Sequence, residues 1–349
     1  MASGPASDLL GRLRAARLVA ERPAPAPGPG RPTTRLYAHR EGPVVLALDL
    51  RHADWRLAVC GIDGELEILA SARHGGKDAG AVLARLRVIV AREAERLGGR
   101  AVAVGVAVPG LIAGTRLLGA TMLGWRDVEL SGVGAGLPVV AGNDATMAAV
   151  ATARVRPAAE ALLHLVLEVG IGGALVLGGH PVQGARGLAG EFGHLPFGDP
   201  AEVCGCGARG CWGARFDPVR IAAGLGEAEP ADPRRWLGRL FEMRRPSMNE
   251  RRVRSKLAAD LGRGTAGLVN ALDPDVVTLG GVAGPLREAA RGDFDRSFEA
   301  GLMDVHRGDA PEVVTGQAGE NAVLVGVALA AFDQVLDARR LALWASGAR

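Results

Sequence analysis

The sequence predicts an α/β fold built as two half-domains, and three observations carry that expectation. From Val44 onward apolar residues fall into strand-length and helix-length runs in a β-β-β-α-β-α-β order. The run Ala101–Val108 is apolar almost without a break, as a strand buried on both faces requires. From Ala161 the alternation starts again. Together these imply a mixed sheet with helices on its faces in each half, and a cleft between the halves.

Taken in order, residues 7–22 read as a helix. Ser7 can cap it, Asp8 suits the positive end of its dipole, and Leu9, Leu10, Leu13 and Ala16 share an apolar face. A stiff Pro-rich stretch from Pro23 to Pro32 follows, then Thr33-Thr-Arg-Leu-Tyr37, which can pair as a strand. Helix, Pro/Gly/Arg loop and strand describe the back half of a winged helix. Strands are expected at residues 44–50, 55–62 and 66–70, with a turn at Asp63-Gly64. A helix over 79–97, strand 101–108 ending at Pro109-Gly110, and a short strand 137–140 lead to Asn143-Asp144 and an Ala-rich helix. The second half should hold strands 161–168 and 174–177 around a loop Gly170-Ile-Gly-Gly173. A cysteine-rich segment, helices to about residue 272, strands 276–279 and 312–314, and a closing helix 322–337 complete it. The expected division is 1–40, 41–150 and 151–349, with the last helix packing back on the first lobe.

At 48% hydrophobic residues the chain has ample material for a core, but aromatics are only 4%, so packing must rest on Ala, Val and Leu. No apolar run is long enough to span a bilayer, and no charged-then-apolar leader opens the sequence. A cytoplasmic location is therefore expected. The net charge of +3 is uneven: residues 1–40 carry seven Arg against Asp8 and Glu21, leaving the rest at −2. That balance suits either a nucleic-acid contact or a disordered Arg/Pro tail. The cluster Arg244, Arg245, Arg251, Arg252 and Arg254 reads as a solvated helix face, not a binding patch.

Three of the four cysteines lie within eight residues, Cys204, Cys206 and Cys211, preceded by His194. An imidazole followed by thiols at +10, +12 and +17 is the ligand set of a closed structural zinc site. Gly205, Gly207 and Gly210 would supply the positive φ that a chain wrapped round an ion needs. Three buried thiols beside an unrelated His, or a disulfide, are the alternatives; the absent leader argues against the disulfide.

Asn143-Asp144, the run Gly184-Ala-Arg-Gly-Leu-Ala-Gly-Glu191-Phe-Gly-His194 and Cys204-x-Cys206-Gly-x-x-Gly-Cys211 together resemble the ROK family of repressors, open reading frames and kinases. Pro109-Gly110, Leu123-Gly-Trp-Arg-Asp127 and Pro274–Gly281 stand where that family has comparable segments, and the likeness covers roughly residues 42–335. The resemblance implies an actin-like ATPase (ribonuclease H-like) two-lobed fold with a zinc bracing the sugar loop. It also implies ligand contacts at Asn143, Asp144, Glu191 and His194, and a metal held by His194, Cys204, Cys206 and Cys211. Residues 1–37 resemble the end of the winged helix of ROK repressors, with the initial helices missing and Arg12, Arg14, Arg31 and Arg35 facing DNA.

Two phosphate-binding turns depart from the kinase pattern. The family's Asp-x-Gly-Gly-Thr reads Asp49-Leu-Arg51-His52-Ala-Asp54, and its Gly-Thr-Gly-x-Gly-Gly reads Glu168-Val169-Gly170-Ile-Gly172-Gly173. Side chains crowd the first turn and an anion enters the second, so nucleotide binding should be lost. Asp144 stands at the position of the kinase base, and Asn143-Asp144 reads equally as a helix N-cap. The family's Cys-x-Glu sugar anchor reads Cys211-Trp212-Gly213. The expectation is a non-enzymatic, dimeric regulator sensing a sugar or sugar phosphate and reading operator DNA. A sugar kinase, or a ligand-binding protein without DNA binding, are the alternatives.

Overall fold

A computed structural model of the chain describes residues 3–23, 34–75, 78–316 and 319–346. The chain forms two compact units, residues 1–147 with 323–349, and residues 148–322.

The first unit begins with helix Ser3–Ala15 and an antiparallel hairpin of Val19–Pro23 with Thr34–Ala38. This corrects the expected helix over 7–22. Arg17 takes a left-handed φ of 54°, which ends a helix, and β-branched Val19 then opens a strand. Residues 19–23 are thus the first strand of a two-stranded hairpin, at the place where a wing was expected. Helix Ala338–Ala345, not foreseen from the sequence, secures this segment: the Trp344 indole N–H donates to the Ala16 carbonyl at 2.7 Å.

The main sheet of this unit runs, in spatial order, Val139–Asn143, Ala101–Val108, Val44–Leu50, Asp54–Gly61 and Leu66–Arg73. The first three are parallel and the last two pair antiparallel. Val44–Leu50 is buried along its whole length, as a central strand covered on both faces must be. Helix Ala79–Arg96 contributes Leu86 and Val90 to one apolar cluster, while Leu324, Val327, Ala331 and Phe332 of helix Ala322–Val335 belong to another that includes Val45 and Ala103. A small antiparallel meander, Leu111–Ala113, Arg116–Ala120 and Trp125–Glu129, was not expected.

The second unit repeats the plan. Its sheet runs His180–Pro181, Ile171–Leu177, Ala161–Leu167, Val276–Gly281, Glu312–Thr315. In each sheet the spatial order is third, second, first, fourth, fifth strand, with the same parallel and antiparallel pairings. Strand Ile171–Leu177 starts earlier than expected, so the supposed loop 170–173 shrinks to a turn closed by the Glu168 N–H on the Gly170 carbonyl at 3.1 Å. Gly173 lies inside the strand because a Cβ there would overlap the His164 carbonyl.

Helix Met248–Leu272 carries a capping box, Ser247 with Glu250, and ends where Asp273 turns left-handed at φ 47°. Trp212, Phe216, Trp236, Phe241, Phe294 and Phe298 gather in this unit's core, so nearly half of the scarce aromatics are spent here. Among the described residues no helix is long and apolar enough to cross a membrane.

Candidate functional site

In the second unit Glu191-Phe-Gly-His194 lies flat against the start of strand Ile171–Leu177. Gly193 permits this, since a Cβ would overlap the Ile171 carbonyl. The Phe192–His194 turn aims the imidazole at a tight knuckle formed by Cys204 to Cys211. The Cys204 N–H donates to the Ala208 carbonyl at 2.8 Å, and the Gly207 N–H to the Cys204 carbonyl at 2.9 Å. Gly207 takes φ 95° and Gly210 φ 69°, as expected; Gly205 is not among the positive-φ residues, so it is not needed for the turn.

One donor atom each from His194, Cys204, Cys206 and Cys211 lies within 4.8 Å of the others. His194 Nδ1 and Cys204 Sγ are 3.7 Å apart, as are Cys206 Sγ and Cys211 Sγ. A tetrahedral ion with bonds of about 2.3 Å puts its donors roughly 3.8 Å apart, so both pairs match the edges of such a polyhedron. Burial pushes the Cys211 thiol up to about 12, and the neighbouring Cys204 and Cys206 add to it. The Cys206 thiol is lowered instead, first by a backbone hydrogen bond at Ala208, so Cys206 is the readier thiolate and Cys211 becomes one only beside a strong positive charge. The cluster therefore has the geometry and the chemistry to hold a metal ion.

The other ring nitrogen, His194 Nε2, lies 3.8 Å from the Glu191 carboxylate. Partial burial raises the Glu191 carboxyl above its ordinary range, against the opposing pull of His194. Next to the last donor, Trp212 is 1% exposed and anchors the loop. Its indole donates to the Asp260 carbonyl at 3.3 Å and meets Phe197 and Phe216 edge-on. Gly213 has little room for a side chain, a Cβ lying 3.2 Å from the Gly193 carbonyl, so the lost family carboxylate leaves no gap here.

Asn143 and Asp144 belong to the first unit. The Asn143 side-chain oxygen accepts from the Ala145 and Thr146 amides at 2.9 and 3.2 Å, and its amide donates to the Gly110 carbonyl at 3.1 Å. Asn143 is thus the N-cap of helix Asp144–Arg154. Asp144 Oδ1 accepts from the Ala145 amide at 2.8 Å, in the helix's first turn.

The turn after strand Val44–Leu50 holds what sequence reading missed. Asp49 is almost wholly buried and accepts from two guanidinium groups. Arg51 Nε donates to its Oδ2 at 2.8 Å, and Arg56 Nη2 and Nε donate to the same oxygen at 2.9 and 3.3 Å. Asp49 and Arg56 are register partners across the hairpin, so their side chains share a face. That register was the available signal. His52 turns aside to the Met122 carbonyl, its Nδ1 at 3.0 Å. In the second unit Glu168 pairs with Arg234 at 3.1 Å.

Of the arginines expected to face DNA, Arg12 and Arg14 lie in the last turn of helix Ser3–Ala15 and are exposed. Arg14 is 3.4 Å from Glu21. Arg35 sits on the second wing strand opposite Arg22, whose guanidinium stacks 4.8 Å over the Tyr37 ring. Arg31 falls outside the described residues. The expected solvated face at 244–254 needs one correction: Arg254 is 5% exposed and donates to the Met243 carbonyl at 3.1 Å.

Comparison with known proteins places the chain in a family. The ROK family model matches residues 47–334. A putative xylose repressor from Caldicellulosiruptor sp. is 31% identical over 204 residues, 52% of this chain and 50% of that protein, so the chain spans about half of that relative's length. A glucokinase from Streptomyces coelicolor is 27% identical over 267 residues, 68% of this chain and 82% of the kinase. A crystal structure described as a ROK family transcriptional regulator, homologous to the E. coli MLC protein, superposes with a TM-score of 0.77 at 21% identity, covering 98% of this chain and 90% of that one. Repressors and sugar kinases thus both stand among its relatives, and the two-lobed arrangement of sheets is the actin-like ATPase fold. With the family model matched over most of its length, the chain belongs to the ROK family.

Proposed function

We propose that this protein is a ROK transcriptional regulator whose body binds a sugar or sugar phosphate and has given up phosphoryl transfer. The observation that carries this reading is Asp49, held by Arg51 and Arg56 within hydrogen-bond distance. Phosphoryl transfer depends on a turn whose backbone and carboxylate are free to meet metal and phosphate. Here the carboxylate's charge is already met by the chain's own guanidinium groups. The second turn places the Glu168 side chain, paired with Arg234 at 3.1 Å, where the kinase pattern has a glycine, so a side chain stands where backbone amides would have to approach phosphate.

On this reading zinc fills the His194, Cys204, Cys206 and Cys211 donors and braces the loop that presents Glu191. As a closed four-donor site it supplies structure and no reaction chemistry. In the second unit Glu191 accepts hydrogen bonds from ligand hydroxyls; in the first, Asp144 does not serve as a base. Asn143 supports Asp144 by capping its helix. The N-terminal helix and wing, with Arg12, Arg14 and Arg35, contact operator DNA as part of a homodimer.

The test is a phosphoryl-transfer assay with Mg-ATP across hexoses and N-acetylated amino sugars, run beside thermal-shift titrations with the same compounds. The expected result is no turnover, no stabilisation by Mg-ATP, and stabilisation by at least one sugar or sugar phosphate. Turnover above the rate without protein overturns the reading.

A further inference from the structure

Residues 233–256 hold nine Lys and Arg against Glu242 and Glu250, a net charge of +7. Since the chain totals +3 and residues 1–40 carry +5, everything outside these two segments sums to −9. The second basic segment is therefore larger than the first, and it lies in the unit that has no part in the wing.

Most of its charges are unmatched, Arg234 being paired with Glu168 at 3.1 Å. Some exposed arginines elsewhere meet acids, as Arg220 does with Glu202, Arg291 with Glu288 and Arg296 with Asp293, while others such as Arg85 and Arg126 stand singly; here the uncompensated ones are gathered within 24 residues. Arg235, Arg239, Arg244, Arg245, Arg252 and Lys256 are all exposed, and among the described residues none has an ion pair or side-chain hydrogen bond. Glu250 is occupied in its capping box with Ser247. An unneutralised surface of this density raises the local concentration of any polyanion.

The platform is also rigid. Helix Pro233–Glu242 buries Trp236, Leu237, Leu240 and Phe241, which turns Arg235 and Arg239 outward one helical turn apart. The linking turn is tied to the next helix by Arg254 on the Met243 carbonyl and Arg251 on the Pro246 carbonyl, both at 3.1 Å. Arg244 and Arg245 are thereby held beside the first turns that carry Arg252 and Lys256.

We propose that this surface binds the phosphate backbone of duplex DNA without regard to sequence. Single strands are bound by stacking bases on exposed aromatics, and the aromatics of this stretch, Trp236 and Phe241, face the core. Insertion into a bilayer needs an outward apolar face, and here the apolar face of helix Pro233–Glu242 is the buried one. Arginine guanidinium groups on a fixed scaffold match phosphates.

The experiment uses the full chain and a random-sequence DNA duplex, read by fluorescence anisotropy across a salt titration. Each phosphate contact contributes about 0.9 to the slope of log affinity against log salt, so the variant R244Q/R245Q/R252Q should flatten it by about 2.7. Between 50 and 200 mM salt the parent should accordingly lose about 40-fold more affinity than the variant. These side chains are exposed, so the melting temperature should hold. R235Q/R239Q, on the other helix, should flatten the slope by about 1.8. An unchanged slope in both variants overturns the proposal, and so does tighter binding of duplex RNA or anionic vesicles than of duplex DNA. A third variant, R12Q/R14Q/R35Q, separates this surface from the wing: the slope contributed by residues 244–252 must persist there, whether or not the wing reads an operator.

Discussion

The clamp on Asp49 makes a quantitative demand on stability. Replacing Arg56 with Gln removes two charged hydrogen bonds, at 2.9 and 3.3 Å, from a carboxylate whose side chain is 3% exposed. Breaking a buried ion pair by deleting one partner costs about 3–5 kcal/mol. Arg51 remains at 2.8 Å, but its side chain is 32% exposed and its field partly screened, so the loss should fall at about 2–3 kcal/mol. Urea unfolding followed by circular dichroism reads this as a lower midpoint at constant slope. The decisive comparison is the double-mutant cycle with D49N. Once the buried charge is gone Arg56 has little to neutralise, and R56Q should cost under about 1 kcal/mol. R92Q serves as the control: Arg92 pairs with Glu93 but is 69% exposed, so its loss should cost at most about 1 kcal/mol. If R56Q costs under about 0.5 kcal/mol, or costs the same in the D49N background as in the parent, the charge-neutralising clamp is refuted.

Other expectations test separate parts of the molecule. If the cluster holds the proposed metal, a strong chelator should expose three thiols to a disulfide reagent, while Cys60 stays silent until unfolding because it is fully buried, which pushes its thiol up to about 12. Three reactive thiols before chelation would contradict metal binding. Ala in place of Gly within a helix normally adds up to about 1 kcal/mol, but at Gly264 the sign should reverse. A Cβ there overlaps the Trp212 indole, so G264A should destabilise by about 1–3 kcal/mol, and an unchanged melting temperature would show that the loop does not rest on that helix. His164 is fully buried, its Nδ1 2.8 Å from Thr278 Oγ1, and desolvation lowers it from 6.5 to about 4. A depressed His is neutral when folded and takes up its proton in the unfolded chain first. Stability is therefore intact above pH 6.5 and falls with the pH towards 4, by roughly 3 kcal/mol in total. H164L should flatten that acid limb, and an unchanged slope between pH 6.5 and 4 would contradict the burial argument.

The elements that local pattern could reveal were legible. Ala101–Val108 and Val44–Leu50 appear with the expected bounds because each is an unbroken apolar run with nowhere to go but a sheet interior. The donors His194, Cys204, Cys206 and Cys211 were legible because their chemistry is encoded in sequence spacing within one loop, and the fold brings them together. The meander over 111–129 was not, since its strands are three to five residues long and interrupted by turns, too short for a period to declare itself. The wing's first strand was hidden for the opposite reason: residues 19–22 continue a helical pattern, and only the left-handed Arg17 breaks it.

What stayed illegible has one physical character. Arg56 and Asp49 lie seven positions apart, and nothing in either strand alone says that they face each other; the hairpin register does. Gly264 looks like a helix weakness until the Trp212 ring is seen against it. Arg254 resembles its solvated neighbours in sequence, yet the preceding turn folds the chain over it and leaves its charge to the Met243 carbonyl. In each case the residue's role is set by a partner that only the fold brings close. The first phosphate turn follows the same logic. The sequence argued that Arg51 and His52 would obstruct a nucleotide by bulk, whereas both side chains fold away, one to Asp49 and one to the Met122 carbonyl. On the proposed reading the obstruction is electrostatic. A buried carboxylate with two guanidinium groups already on it has no unmet charge with which to attract a metal cation, and restoring glycine at Arg51 and His52 alone would leave Arg56 in place.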